Sequence, residues 1–284
     1  MILYKYLAPG RLEILDGEMI RFTHPSALND LSELRPAFGR FFTKDYVLER
    51  LDLENLADEA FKGLPEEVRN KTSIEDLKKL ALSDECRRAI DIPVSMLNSF
   101  ATRMRGEIYK SFDQRIGVLS LSESWDNGPM WAHYADAHSG FVIGLDGANR
   151  YFNRRRSEKD EFYHLRQVLY ADPSFGTRSF SDLSDGTKIF LTKDKLWSYE
   201  REWRMLAPLS DATTGKVLPS GDTVHLFPFP GEIIKSIIIG VRAADEFKAR
   251  LASLINNKSS FAHIKVLQAQ LDDDSGRFIL LPMT

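Results

Sequence analysis

The 284-residue chain has a single cysteine, Cys86, which excludes an intrachain disulfide framework. Cys86 sits among charges in Asp84-Glu85-Cys86-Arg87-Arg88, where a half-buried structural thiol is expected. No apolar run approaches the roughly 20 residues that a membrane-spanning helix needs. The opening Met1-Ile2-Leu3-Tyr4-Lys5-Tyr6 lacks the basic region and longer apolar stretch of a signal peptide. These absences predict a soluble, cytoplasmic protein without a membrane partner. The formal net charge is only -3, so charge alone draws the chain to neither nucleic acid nor an anionic surface. Gly-rich phosphate loops, internal repeats and low-complexity tracts are also missing. His133 and His138 are five residues apart, roughly 140° around a helix, which is not a two-histidine metal face. No other metal-type spacing occurs, so no metal site is predicted.

What remains is an ordinary soluble composition: 43% hydrophobic, 11% aromatic and 28% charged. Short strands are expected over residues 2–7 and 19–23, with one helical turn between them at 11–16. Asn29 and Asp30 read as turn chemistry. Residues 44–110 change character: Leu48, Leu51, Leu56, Phe61, Leu77 and Leu80 recur at three- and four-residue spacings between charges. Amphipathic helices follow, with starts or breaks at Asp45, Pro65, Ser73 and Pro93. From Ile116 onward the period shortens to two. Strands are expected at 116–121, 140–145, 165–170, 201–206, 223–227, 233–239, 264–268 and 277–281. Helices are expected at Met130–Ser139 and Val241–Ile255. The predicted class is α+β: one domain over 1–284, a mixed or antiparallel β core, and a helical insertion or subdomain at 44–110.

Two distant segments concentrate the chemistry. Ser120-Leu121-Ser122 runs into Trp131-Ala132-His133-Tyr134-Ala135-Asp136-Ala137-His138-Ser139-Gly140, and the second segment is Trp197-Ser198-Tyr199-Glu200-Arg201-Glu202-Trp203-Arg204. Such residues combine large apolar area with groups that need hydrogen-bond partners, which points to a ligand cleft. On a strand, Glu200, Glu202 and Arg204 share one face. Two such carboxylates raise one another's pKa while Arg204 opposes the shift, so a glutamate held there is a candidate general base or cation stabiliser. On a helix, Glu200 and Arg204 would be a routine i,i+4 ion pair. The basic tract Arg150–Arg156 is followed at once by acids and reads as a solvated loop.

The order of these motifs resembles a bacterial family catalogued only as a domain of unknown function. The shared pattern includes Arg21 to Asp30, Trp131 to Gly140, a lysine (Lys193 or Lys195) before Trp197 to Arg204, and Ile238-Ile239-Gly240. More loosely, the chain resembles ADP-ribosyltransferases, which carry a basic residue on an early strand, a Ser-x-Ser and a later Glu-x-Glu. Lys5 or Arg21, Ser120-Leu121-Ser122 and Glu200-Arg201-Glu202 stand in that order. That resemblance implies NAD as substrate, with a protein or nucleic-acid acceptor. Glu202 would hold the nicotinamide ribose and stabilise an oxocarbenium-like transition state, and Glu200 would orient the acceptor. Ser120 would support the NAD site, and Tyr134 or Trp131 would stack on nicotinamide. The candidate site comprises Glu202 and Glu200 for catalysis, with Ser120, Ser122, Trp131, His133, Tyr134, His138, Arg21 and Arg204 for binding. Two alternatives stay open. One is a non-catalytic nucleotide- or peptide-binding module of a stress or phage-defence response. The other is a metal-dependent nuclease or hydrolase using His133, His138, Asp126 and Glu202.

Overall fold

The computed structural model describes residues 1–30, 44–172, 188–217 and 223–283. The chain divides into two compact units. One comprises Met1–Pro36, Ser111–Phe175 and Asp182–Thr284; the other comprises Ala37–Lys110 and Gly176–Ser181.

The smaller unit is helical: α2 (Lys44–Arg50), α3 (Leu53–Gly63), α4 (Glu66–Arg69), α5 (Ile74–Ala81), α6 (Asp84–Ala89) and α7 (Asp91–Arg115), whose last residues belong to the larger unit. Helix starts follow capping chemistry, since Asp52 accepts from the Asn55 amide and Ser73 from the Glu75 amide. No described helix is long and apolar enough to cross a membrane.

The larger unit is built on an eight-stranded sheet. Its strands are β1 (Ile2–Leu7), β3 (Ile116–Ser122), β4 (Phe141–Asp146), β5 (Leu165–Gln167), β8 (Glu202–Pro208), β11 (Ile234–Ile239), β12 (Lys265–Leu271) and β13 (Phe278–Pro282). The order is β13-β12-β11-β4-β1-β3-β8-β5, antiparallel except for the β11–β12 pair. A three-stranded sheet joins β2 (Met19–Phe22), β10 (Thr223–Pro228) and β9 (Thr214–Val217), and a parallel pair joins β6 (Leu169–Ala171) to β7 (Thr192–Asp194). The fold is α+β.

Strand alternation sorts the core onto two faces. Leu3, Leu119, Phe141, Ile143, Met205 and Ile237 pack with Ile14 of α1 (Glu13–Gly17) and Phe247 and Leu251 of α10 (Asp245–Asn257). Tyr6, Val142 and Ile238 pack on the opposite side with Met130, Trp131 and Ala135 from α8 (Gly128–Tyr134) and its end. The run Ile237-Ile238-Ile239 is apolar throughout because β11 is covered on both faces. α9 (Lys188–Leu191) leads into β7.

One irregularity prepares the site. β1 pairs with β4 along its whole length but with β3 only at Tyr4↔Ser122. At the other end of β3, Val118 is bridged instead to Thr23, just after β2. The sheet therefore opens between β1 and β3.

Four expected elements differ, among them the helix expected from Val241, which begins at Asp245. The helix expected to reach Ser139 stops at Tyr134, because Asp136, Ala137 and His138 all lie in the left-handed region at φ 49°, 48° and 72°. The turn they form is fixed from outside: the His138 carbonyl accepts from the Arg242 amide and the Gly140 carbonyl from the Gly240 amide. A Cβ at Gly140 would overlap the Leu7 carbonyl oxygen, which accounts for glycine there. The strand expected at 165–170 is two strands in different sheets, broken where the Val168 amide donates to the Glu202 carbonyl. The strand expected from Arg201 begins at Glu202.

A left-handed L-residue costs about 1–2 kcal/mol, and glycine gives back about half of any gain through the unfolded chain. Ala137 is exposed, so Ala137→Gly loses little packing. It is expected to raise stability by about 0.5–1 kcal/mol, read as an upward shift of the urea midpoint.

Candidate functional site

A cleft of about 370 Å³ occupies the opening between β1 and β3. β1 contributes Tyr4, Lys5 and Tyr6; the turn before α1 adds Arg11, and β2 adds Arg21. Ser120 and Ser122 come from β3, and Tyr134 from α8. Lys193, Glu200, Glu202 and Arg204 close it on the remaining side.

That side is a buried ion network. Arg204 is fully buried, and its guanidinium grips Glu202 with two bonds: Nε to Oε1 at 2.8 Å and Nη2 to Oε2 at 2.9 Å. Its Nη1 donates to the Phe190 carbonyl at 2.8 Å. Lys193 Nζ reaches Glu200 Oε2 at 2.6 Å and Glu202 Oε2 at 3.3 Å. The Tyr134 hydroxyl donates to Glu200 Oε1 at 2.6 Å. Backbone anchors hold the frame: the Ser122 hydroxyl donates to the Glu200 carbonyl at 2.6 Å, and the Glu202 amide donates to the Tyr170 hydroxyl at 2.8 Å. Two carboxylates thus meet two cations, which is what makes their burial tolerable.

Burial pushes the Glu202 carboxyl above its ordinary range, with Glu200 adding to the shift; Lys193 and the Ser120 hydroxyl pull it back. Burial opposes the Lys193 charge too, but Glu202 and Glu200 outweigh it and hold the ammonium above its usual range. Tyr134 is raised by burial and by the Glu200 charge, so its hydroxyl stays a donor.

The opposite wall is cationic. Lys5 Nζ donates to the Ser120 carbonyl at 2.9 Å. Burial lowers Lys5 to about 8, with Arg11 and Arg21 pushing the same way and Glu202 and Glu200 opposing. An amine depressed in the fold binds fewer protons than the unfolded chain above pH 8. Its unfavourable charge therefore weighs fully below pH 8 and is relieved between about 8 and the ordinary 10.5. Arg11 Nε is buried with no hydrogen-bond partner among the described residues.

Residues 130–205 match a family model described as Protein of unknown function (DUF2971). The match spans about a quarter of the chain. No curated protein and no solved structure matches the chain. The DUF2971 segment holds both aromatic motifs and supplies Tyr134, Lys193, Glu200, Glu202 and Arg204 to the cleft. The Lys5, Arg11 and Arg21 wall and the β3 serines lie outside it.

Of the residues singled out in the sequence, Glu200, Glu202, Arg204, Ser120, Ser122, Tyr134 and Arg21 converge on this cleft. Glu200 arrives by an unexpected route. It ends a 3-10 helix (Lys195–Glu200), and Arg201 at φ 45° turns the chain into β8, so strand alternation does not relate Glu200 to Glu202. Lys193 relates them instead. Trp131, His133 and His138 stand apart from the lining. Trp131 is only 1% exposed, set edge-on to Tyr6 in the core. His138 leaves the expected helical stripe with the left-handed turn and stacks between Trp131 and Phe278. His133 is exposed and faces Trp197.

Lys193 is the motif lysine in the network, while Lys195 is exposed. Lys5 carried a signal in the sequence, as a lone charge within an apolar strand. Arg11 carried none. Among the described residues, no group of three or more His, Cys, Asp or Glu side chains is arranged to hold a metal ion.

Proposed function

We propose that the cleft binds a nucleotide and that the protein acts as a nucleotide-binding module. The observation that carries this reading is the saturation of both glutamates. Each carboxylate oxygen of Glu200 and Glu202 already has a protein partner, from Tyr134, Lys193 or Arg204. With every oxygen engaged, neither carboxylate can reach a substrate proton or a developing cation without giving up a contact; the arrangement suits a rigid, pre-organised wall. The cleft falls within the usual size range of small-molecule sites, and Tyr4 and Tyr134 line it beside polar groups. Five cations line it against two carboxylates, which favours an anionic ligand.

A second reading, ADP-ribosyl transfer from NAD, draws support from Ser120, Glu200 and Glu202 sharing the cleft in the motif order of those enzymes. One experiment separates the two. NAD and ADP binding is measured by titration calorimetry, and nicotinamide release from NAD is followed in the presence of cell lysate. Saturable binding without release is the expected result. Release that Glu202→Gln abolishes, in a variant whose melting curve shows it folded, would establish the transferase reading. Absence of binding by folded wild type would end the nucleotide reading.

A further inference from the structure

We infer that Lys5, Arg11 and Arg21 form a subsite for a phosphate or diphosphate group. The inference rests on the nucleotide reading of the same cleft and assigns one end of the ligand to one wall. The three cations come from β1, the turn after it, and β2, so a single stretch of chain from Lys5 to Arg21 builds the wall. They are held close enough to disfavour one another's charge, since Arg11 and Arg21 both act against protonation of Lys5. The two cleft carboxylates bond directly to Lys193 and Arg204, and their charges also favour that of Lys5. Three cations on one side of a partly desolvated cleft attract an anionic group.

Arg11 supplies the second observation. Its Nε is buried yet has no acceptor among the described residues, while Arg11 itself lines the cleft. A guanidinium edge presents parallel donors that match two phosphate oxygens, and Lys5 adds a point charge beside it. Ser120 lies between the walls: its carbonyl accepts from Lys5, and its hydroxyl helps to lower the Glu202 carboxyl.

The test uses the full-length protein and three probes by titration calorimetry: inorganic pyrophosphate, ADP and adenosine. ADP is expected to bind at least 30-fold more tightly than adenosine. Arg11→Gln is expected to weaken ADP and pyrophosphate by at least tenfold and to leave adenosine within twofold. Lys5→Met removes a charge the fold holds unwillingly, so its melting temperature should equal or exceed that of wild type while ADP affinity falls by at least tenfold. For wild type, ADP affinity should also decline as pH rises from 7 to 9.5. The groups facing Lys5 in that titration are Arg11, Arg21, Glu202 and Glu200.

Equal affinity for ADP and adenosine would overturn the subsite and leave the nucleotide reading standing. Pyrophosphate binding that Arg11→Gln removes, without any adenosine-dependent gain, would support the subsite and count against the nucleoside. Failure of folded wild type to bind either ADP or pyrophosphate, or unchanged affinity in folded Arg11→Gln, would overturn the inference.

Discussion

Arg204→Met is expected to destabilise the protein by about 3–5 kcal/mol, the range found when one partner of a buried ion pair is removed. Arg204 is 0% exposed, and all three of its hydrogen-bonding nitrogens are engaged: two with Glu202 and one with the Phe190 carbonyl. Without it, Glu202 and Glu200 must share the single ammonium of Lys193 inside the protein. The variant would then either bury an excess negative charge or take up a proton on a carboxylate that burial already pushes upward. Urea denaturation followed by tryptophan fluorescence measures the loss. The double variant Glu202→Gln/Arg204→Met removes both charges and should recover more than half of it, because matched removal of a buried pair is often close to neutral. A single-variant loss under about 1 kcal/mol would mean that the network behaves like a solvated surface pair.

This network also shows how far the sequence reaches. Alternation within Glu202-Trp203-Arg204 placed Glu202 and Arg204 together on one face of β8, with Trp203 on the other, and the register Ser120↔Arg204 and Ser122↔Glu202 carries that face across to the serines. Period-2 patterning is a local property, so it survives into the fold. Glu200 was brought to the same place by a 3-10 helix and a left-handed Arg201, geometry that no periodicity announces. His138 was lost from the site for the related reason that tertiary hydrogen bonds from Gly240 and Arg242 override helix continuation. The opening between β1 and β3 depends on strand order, which puts residues 4–21 beside residues 120–122 and 193–204. Arg11 acquires its meaning only from that juxtaposition. In the helical unit the amphipathic spacing gave the helices, yet Ile92, Met96 and Phe100 of α7 are exposed, because periodicity marks an apolar face without naming what covers it.

Trp131→Ala should cost a further group of interactions at once, with an expected destabilisation of about 3–5 kcal/mol for a large aromatic truncated in a packed core. Trp131 meets Tyr6 edge to face at 5.4 Å between ring centroids and stacks near-parallel on His138 at 6.4 Å. Its indole N–H donates to the Trp125 carbonyl at 2.7 Å, so truncation also leaves that carbonyl without its partner. Trp131→Phe keeps a ring and loses the donor, and should cost about 1–2 kcal/mol, the price of an unpaired buried acceptor with a smaller cavity. The two variants separate core from ligand site. α8 carries Tyr134 three residues beyond Trp131, so packing of Trp131 sets the helix that aims the Tyr134 hydroxyl at Glu200. Trp131→Phe should therefore lower the melting temperature and leave nucleotide affinity within about threefold. Tyr134→Phe should lower the melting temperature as well but also weaken the ligand by more than tenfold, since it leaves a buried Glu200 oxygen unpaired at the cleft wall. If Trp131→Phe instead abolished binding in a fully folded protein, the tryptophan would be lining the ligand, and the division between the aromatic core behind α8 and the cleft before it would fail.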